Sequence, residues 1–371
     1  MNEKLGRNAP CWCGSLKKYK QCHLGRDKRE PFSIEDAHTA SKKLTAQKKC
    51  SVSDKEKIKC SNKIVRAHTL SKSSCLGDIA ENGHVMGIKH GIGKTGQKKR
   101  GLSFDKIGVN KASTFTGYCS YHDKVLFSPL EDRAFSLELV QLSLLALRPI
   151  ARELYAKESS VEFTKTIREF DKGKGSFIQR YIQEYADSFL IGANLAVKDL
   201  KYLKITIEEC IFSNQFDLLS HFIIHLKNTP KVMACASVAP EFDFDGTRLQ
   251  TIGYDLEMPA YLTFNCLSFK NKGYFIFTWL KKHDEVASLF IDAISKIPLK
   301  KLGGKLTAFL FAYSENIYSS VSWWDVLDSE KKDNLERLLM DGISNPVHDC
   351  NAISNDNLSY DAICVDKFYR I

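Results

Sequence analysis

The sequence contains two groups of three cysteines and one histidine, and each group could hold a zinc ion. The first group is compact and consists of Cys11, Cys13, Cys22 and His23. Three thiolates and one imidazole suit a closed tetrahedral zinc site, in which protein side chains fill every position. So short a segment cannot bury enough apolar surface to fold without metal. The spacing therefore predicts a zinc-stabilised knuckle over residues 1–28, followed by a helical linker over residues 29–49.

The N-terminal residues closely resemble the SEC-C motif, a zinc knuckle found in many otherwise unrelated bacterial proteins. The shared pattern begins at Gly6 and reads Gly-Arg-Asn-x-Pro-Cys-x-Cys-Gly-Ser, followed by Lys-Lys-Tyr-Lys-x-Cys-His, which ends at His23. Leu16 departs from the pattern, since the family usually has glycine at this position. The resemblance implies a docking module for a protein partner, with no active site of its own.

The second group is dispersed along the chain and consists of Cys50, Cys60, Cys119 and His122. The first two cysteines flank a polar, lysine-rich loop, and the last two residues form a Cys-x-x-His knuckle. The sequence between them predicts a strand over residues 63–68, which ends at His68, and a second strand over residues 113–118. An amphipathic helix is predicted over residues 130–156, with Glu131 in its first turn.

This order of ligands and elements resembles the HNH, or His-Me finger, nucleases, which are built on a ββα-metal unit. The resemblance implies a domain over residues 50–158 in which the second group binds a structural zinc ion. It also implies that His68 is the general base and that Asp123 orients it. Imidazole supplies a base that works near neutral pH. A divalent cation such as Mg²⁺ or Mn²⁺ would stabilise the charge of the transition state.

Three departures from the HNH pattern leave the ligands of the catalytic metal open. Ala67 stands where many members have an acidic or histidine ligand, and Asp123 replaces the usual asparagine. The stretch from His68 to Cys119 is also longer than usual. The remaining candidate ligands are His84, His90 and Glu131. A non-catalytic reading is open as well, in which His68 is a hydrogen-bonded histidine within a purely structural zinc fold.

Positive charge is concentrated in the first third of the chain. Residues 1–111 contain 25 Lys and Arg against 10 Asp and Glu, whereas the remainder contains 29 against 34. This balance indicates a polyanionic partner, with nucleic acid as the first candidate. A flexible loop in the glycine-rich stretch over residues 83–101 is predicted to contact phosphates. The predicted contact residues are Lys94, Lys98, Lys99 and Arg100.

Residues 159–371 are predicted to be helical at first and then to form an antiparallel sheet. The predicted helices cover residues 177–190, 205–226, 284–297 and 328–343, and the predicted strands cover residues 232–238, 249–254, 261–269, 274–280 and 306–313. His221 and His225 are interpreted as a helix face rather than a metal pair. The acidic residues 241, 243 and 245 are interpreted as a solvated turn. The fold class is therefore predicted as multi-domain α+β.

The composition, with 43% apolar and 26% charged residues, is ordinary for a globular protein. The longest uncharged apolar run, residues 139–147, is far shorter than the roughly 20 residues that span a bilayer. We therefore expect a cytoplasmic protein without membrane contact, in which clustered cysteines bind metal. The expected function is a metal-dependent nuclease acting on DNA or RNA, which the resemblances associate with anti-phage defence. The alternative is a non-catalytic zinc adaptor for a protein or nucleic acid.

Nucleic-acid binding through the basic region predicts a steep dependence on salt. Each phosphate contact made by Lys or Arg releases counterions, so the affinity should fall by about 10³-fold or more between roughly 50 and 200 mM salt if six or more contacts form. Fluorescence anisotropy with a labelled DNA or RNA oligonucleotide measures this directly. An affinity that does not change with salt would contradict binding through residues 1–111.

Overall fold

A computed structural model describes residues 5–72, 75–90, 102–254, 256–344 and 359–371. It confirms the predicted α+β class, with helices and antiparallel strands. The helices are α1 (Ile34–Thr45), α2 (Ser120–Glu131), α3 (Leu139–Glu169), α4 (Ser176–Ser213), α5 (Asp284–Lys296), α6 (Leu299–Tyr313), α7 (Val321–Val326) and α8 (Ser329–Ser344). The strands are β1 (Ile64–His68), β2 (His84–His90), β3 (Leu102–Gly108), β4 (Thr114–Cys119), β5 (Leu219–Leu226), β6 (Val232–Val238), β7 (Leu262–Phe269), β8 (Lys272–Leu280), β9 (Ile317–Ser319) and β10 (Val365–Arg370).

The chain divides into two compact units, each built from two separate stretches of sequence. The first unit comprises Met1–Lys48 and Leu154–Lys201, and the second comprises Lys49–Glu153 and Tyr202–Ile371. Helices α3 and α4 each contribute residues to both units. The domain limits predicted at residues 28, 49 and 158 stay predictions.

In the first unit, α1 forms the helix predicted after the knuckle and is fixed at both ends. The Ser33 hydroxyl accepts a hydrogen bond from the Asp36 amide at 3.0 Å, as expected of an N-cap residue. At the other end, the Tyr155 hydroxyl lies 2.9 Å from the carbonyl oxygen of Thr45 and 2.6 Å from that of Gln47. These contacts tie the end of α1 to α3.

In the second unit, β1 and β4 form a two-stranded antiparallel sheet that leads directly into α2. The register pairs Ile64 with Cys119 and His68 with Thr114, with an irregularity between Val65 and Ala67. The two predicted strands are confirmed. Between them in sequence lie β2 and β3, which pair with each other, and β2 joins the larger sheet through β9. These two strands lie within the long stretch between His68 and Cys119.

The larger sheet has the order β10-β5-β8-β7-β6-β9-β2-β3, and every pairing is antiparallel. One face packs against the C-terminal helices through an aromatic cluster that includes Phe264, Phe277 and Phe309. Asn265 follows Phe264 on β7, so its side chain points to the opposite face of the sheet. There its amide donates a hydrogen bond to the Leu145 carbonyl of α3 at 2.9 Å. Because both faces are covered, β7 is buried along its whole length.

The helix predicted over residues 130–156 is wrong in its limits. Helix α2 already begins at Ser120, and Glu131 is its last residue instead of lying in the first turn of the next helix. A loop then leads to α3, and Gln141 holds this loop in place. Its side-chain nitrogen donates to the carbonyl oxygens of Pro129 at 3.0 Å and Ala134 at 2.9 Å.

Several other predicted elements are corrected by the structure. Residues 306–313 belong to helix α6, and residues 219–226 form strand β5 instead of continuing a helix. Short apolar runs of this kind are compatible with a buried helix or a buried strand, and only packing decides between them. Residues 249–254 form no strand among the residues that the structure describes there. Part of the predicted glycine-rich loop, residues 84–90, is strand β2.

No helix in the described ranges is long and apolar enough to cross a bilayer.

Candidate metal centres

The structure brings the first four predicted ligands into one cluster. The ligand atoms of Cys11, Cys13, Cys22 and His23 all lie within 4.8 Å of one another. Nδ1 of His23 lies 3.1 Å from Sγ of Cys11, and Sγ of Cys13 lies 3.5 Å from Sγ of Cys22. A tetrahedral zinc ion with bonds of about 2.0–2.3 Å separates its ligand atoms by roughly 3.3–3.8 Å. The cluster therefore fits a zinc ion with small adjustments.

The one departure from the SEC-C pattern, Leu16, lies in a turn inside the knuckle. Gly14 has a φ angle of +70°, and Leu16 has a φ angle of +59°. Both values lie in the left-handed region, where glycine is favoured because it has no Cβ. Leu16 is 96% exposed, so its side chain makes little compensating contact. Leu16 thus adopts, with some strain, a backbone conformation that glycine adopts more readily.

The second cluster unites residues from three parts of the second unit. The ligand atoms of Cys50, Cys60, Cys119 and His122 also lie within 4.8 Å of one another. Nδ1 of His122 lies 3.4 Å from Sγ of Cys50 and 3.2 Å from Sγ of Cys119. Both clusters could therefore hold metal ions, and their donor sets are consistent with zinc.

Main-chain contacts position the second cluster. The Ser51 amide donates to the Gly117 carbonyl at 2.8 Å, which aligns the Cys50 segment with β4. Cys119 is the N-cap of α2, and its sulfur accepts a hydrogen bond from the His122 amide at 3.5 Å. A thiolate is favoured at this end of a helix by the helix dipole.

A buried ion pair supports the loop that carries Cys50 and Cys60. The Ser53 amide donates to the Glu208 carboxylate at 3.1 Å, and Lys204 donates to the same carboxylate at 2.6 Å. Glu208 has 0% and Lys204 3% exposure. Sequence reasoning missed both residues, because a Lys and a Glu four residues apart are ordinary on a solvated helix.

Each cluster contains one thiol that ionises readily and one that resists ionisation. Burial opposes ionisation of Cys13, but hydrogen bonds with Ser15, Cys11 and Cys22 together outweigh it and lower the pKa of Cys13 to about 7. In the same way, hydrogen bonds with Ser61, His122 and Cys60 together outweigh burial and lower the pKa of Cys119 to about 5. Burial raises the pKa of Cys11 to about 12 and that of Cys50 to about 11. A bound metal would deprotonate these thiols as well.

His68 ends β1 in a half-buried position beside the second cluster's helix. Its Nε2 atom is shielded from solvent and has no hydrogen-bond partner in the described part of the chain. Burial lowers the pKa of His68 below its ordinary value, and the charge of Arg148 lowers it further, while Glu131 opposes this and Lys72 adds to it. The imidazole is therefore neutral at pH 7 and able to accept a proton.

Helix α2 places three side chains on the face that adjoins Arg148. Asp123, Phe127 and Glu131 are spaced four residues apart, so they lie on one side of the helix. Arg148 forms an ion pair with Glu131, and its guanidinium lies 4.2 Å from the centre of the Phe127 ring. Burial raises the pKa of Asp123, and the Arg148 charge opposes this rise. No hydrogen bond joins Asp123 to His68 in the described ranges, so the orienting role of Asp123 stays a prediction.

The other candidate ligands do not gather around His68. His84 is exposed on β2, where its Nδ1 contacts the carbonyl oxygen of Asn82 at 2.8 Å. The side chain of His90 lies outside the described residues, as do the predicted phosphate contacts Lys94, Lys98, Lys99 and Arg100. Across the ranges that the structure describes, the two Cys/His clusters are the groups that could hold a metal ion. A site for Mg²⁺ or Mn²⁺ stays a prediction.

The remaining histidine pair is occupied by structural contacts. His221 and His225 lie on strand β5, so their predicted place on a helix is wrong. His221 is buried, its Nδ1 lies 2.9 Å from the Thr278 hydroxyl, and burial lowers its pKa to about 4. His225 stacks on the ring of Tyr369.

The two clusters predict two zinc ions per chain. Replacing Cys60 with serine should reduce the zinc content from two to one, because three ligands hold the ion far more weakly than four. Inductively coupled plasma mass spectrometry of the purified protein measures the content. The matched control is Cys364→Ser, which removes an exposed thiol outside both clusters and should leave two zinc ions. A wild-type content of one or none would contradict the second site.

The comparisons with known proteins concern the knuckle alone. Residues 7–25 match the family model of the SEC-C motif. Over 22 residues the chain is 73% identical to the protein translocase subunit SecA of three Pseudomonas putida strains, which is 6% of this chain and 2% of each SecA. No solved structure matches the chain. The chain therefore carries a segment similar to the SEC-C zinc knuckle, and this segment is a small part of the chain and of the relatives.

Proposed function

We propose that this protein is a nuclease that hydrolyses phosphodiester bonds of DNA or RNA, with His68 as the general base. The observation that carries the proposal is the position of His68. A half-buried imidazole with a lowered pKa, whose Nε2 has no hydrogen-bond partner in the described chain, ends β1. This strand pairs with β4, which ends at Cys119, a ligand of the second Cys/His cluster.

The proposed reaction begins with proton transfer from a water molecule to the His68 ring, and Nδ1 would be the nitrogen that accepts it, because Nε2 is shielded from solvent. The water oxygen forms a bond to phosphorus, the bond from phosphorus to the leaving oxygen breaks, and that oxygen takes a proton from solvent. Because burial and nearby cations hold the pKa of His68 below its ordinary value, the base form predominates at neutral pH. The second cluster supplies no open position to substrate, since protein fills all four ligand sites.

Positive charge near His68 would receive the phosphate. Lys72 is exposed and close enough to influence the pKa of His68, so its ammonium group is suited to contact a substrate phosphate. Arg148 is 3% exposed and is held by Glu131, so it acts on His68 through its field. The described residues do not assemble a third group of metal ligands there.

The second candidate function is a non-catalytic zinc adaptor that binds a partner protein. An exposed aromatic row on α4 favours it. Phe177, Tyr181 and Tyr185 are 79%, 62% and 53% exposed, and their spacing of four residues places them on one face. The row lies near the knuckle, because Arg180 lies 5.1 Å from the ring centre of Trp12. Exposed apolar rows of this kind are typical of protein contacts.

Replacing His68 with alanine tests the nuclease proposal. Cleavage of plasmid DNA or of RNA should fall by about 10²–10⁴-fold, which is the usual contribution of a general base. Gel assays with Mg²⁺ or Mn²⁺ present measure the rate, and zinc content should stay at two per chain. The matched control is His84→Ala, an exposed histidine on β2, which should cleave normally. Equal background cleavage in the wild type and His68→Ala, with binding retained, would support the adaptor.

The pH dependence of cleavage provides a further test. A general base works only in its deprotonated form, so the rate should rise with pH and then level off. The pKa of His68 is lowered, so the half-maximal rate should lie below pH 6.5, the ordinary value for histidine. Initial rates between about pH 4.5 and 8 measure the profile, with zinc content checked at each pH. A midpoint above pH 7 would contradict the role of a buried His68.

A further inference from the structure

A buried carboxylate lies directly behind the first Cys/His cluster, within the same compact unit. Asp171 follows α3 and is 0% exposed. One of its oxygens lies 2.8 Å from Nε2 of His23 and accepts a hydrogen bond from the Gln183 amide at 2.7 Å. Nε of Arg26 donates to the other oxygen. A carboxylate so deeply buried needs donors of this kind, since burying an unpaired charge is very unfavourable.

The two nitrogens of the His23 ring face opposite partners. Nδ1 lies 3.1 Å from Sγ of Cys11 and is the ligand atom of the cluster, whereas Nε2 faces Asp171. A metal on Nδ1 requires that this nitrogen carry no proton, so Nε2 carries it and donates it to the carboxylate. Such an arrangement fixes the tautomer and the orientation of a metal-binding histidine and makes the ring a better ligand.

Arg26 extends this contact to the main chain. Its guanidinium donates to the Arg168 carbonyl at 3.1 Å, and its own carbonyl accepts a hydrogen bond from the Gly173 amide at 3.1 Å. Gly173 has a φ angle of +70°, and a Cβ at this position would lie 2.9 Å from the Arg29 carbonyl oxygen. The turn between α3 and α4 therefore lies so close to the segment after the knuckle that only glycine fits at position 173 without a shift.

We propose that Asp171 is an outer-shell residue of the SEC-C metal site, and that zinc binding clamps the knuckle onto the turn between α3 and α4. Without metal, the knuckle loses the cross-link that folds it, and His23 loses its fixed tautomer. Asp171 then loses a donor and retains a buried charge with fewer partners, which favours opening of the contact. Asp171 is 148 positions away in sequence from the ligand His23 that it contacts. The knuckle is thus clamped by metal rather than tethered by its linker alone.

Replacing Asp171 with asparagine tests the outer-shell role. Asparagine keeps the shape and one acceptor oxygen but removes the charge, so the zinc affinity of the first cluster should fall by about 10–100-fold. Competition with a chromogenic chelator measures both sites of the full chain, and the second cluster serves as an internal reference for folding. The matched control is Asp187→Asn, which removes a 54% exposed partner of Arg168 on the same pair of helices. Unchanged zinc affinity at the first cluster of Asp171→Asn would overturn the assignment.

Hydrogen exchange tests the clamp without any change at Asp171. In Cys22→Ser, which lacks the first zinc, the Gly173 amide and peptides covering residues 168–176 should exchange at least about tenfold faster than in the wild type, because the bond to Arg26 opens. In Cys60→Ser, which lacks the second zinc, the same peptides should keep their wild-type protection. If Cys22→Ser leaves the protection of this turn unchanged, zinc does not clamp the knuckle and the proposal fails.

Discussion

The convergence of Cys50, Cys60, Cys119 and His122 is the constraint on which the proposed active site depends. An isolated two-stranded sheet such as that of β1 and β4 is marginally stable in water. A structural zinc ion supplies about 10–16 kcal/mol of folding free energy in small domains, which is enough to fix such a unit. His68 is the last residue of β1, and the ligand Cys119 is the N-cap residue of α2. The geometry around His68 therefore follows from the metal cluster.

A buried carboxylate lies behind each cluster, Asp171 in the turn between α3 and α4 and Glu208 on α4. Behind the first cluster, Asp171 accepts from the ligand His23, and behind the second, Glu208 accepts from the Ser53 amide between two ligands. Each carboxylate has a cationic partner, Arg26 in one case and Lys204 in the other. Removing one partner of a buried ion pair costs about 3–5 kcal/mol. Loss of Arg26 or Lys204 should therefore destabilise the segment that carries the neighbouring metal ligands.

The His68 region shows the same dependence on a distant charge. Arg148 comes from α3, lies over the ring of Phe127 and pairs with Glu131 at the end of α2. It favours the neutral form of His68 and opposes protonation of Asp123, so one buried cation influences both candidate catalytic groups in the direction that base catalysis needs. The sequence also holds a signal for Arg148. A charge directly after the apolar run of residues 139–147 must find a partner if that run is buried.

The sequence alone determined the features that depend on near neighbours or on residue type. The ligand spacing of the knuckle, the N-cap at Ser33, the strands that carry His68 and Cys119, and the α+β class could all be predicted, because short-range chemistry fixes them. The tertiary structure decided the rest. Whether residues 306–313 formed a strand or a helix depended on the layer against which they packed. The carboxylate that faces His23 and the arginine that lowers the pKa of His68 lie far along the chain, and a carboxylate such as Asp171 looks solvated in sequence until the fold buries it.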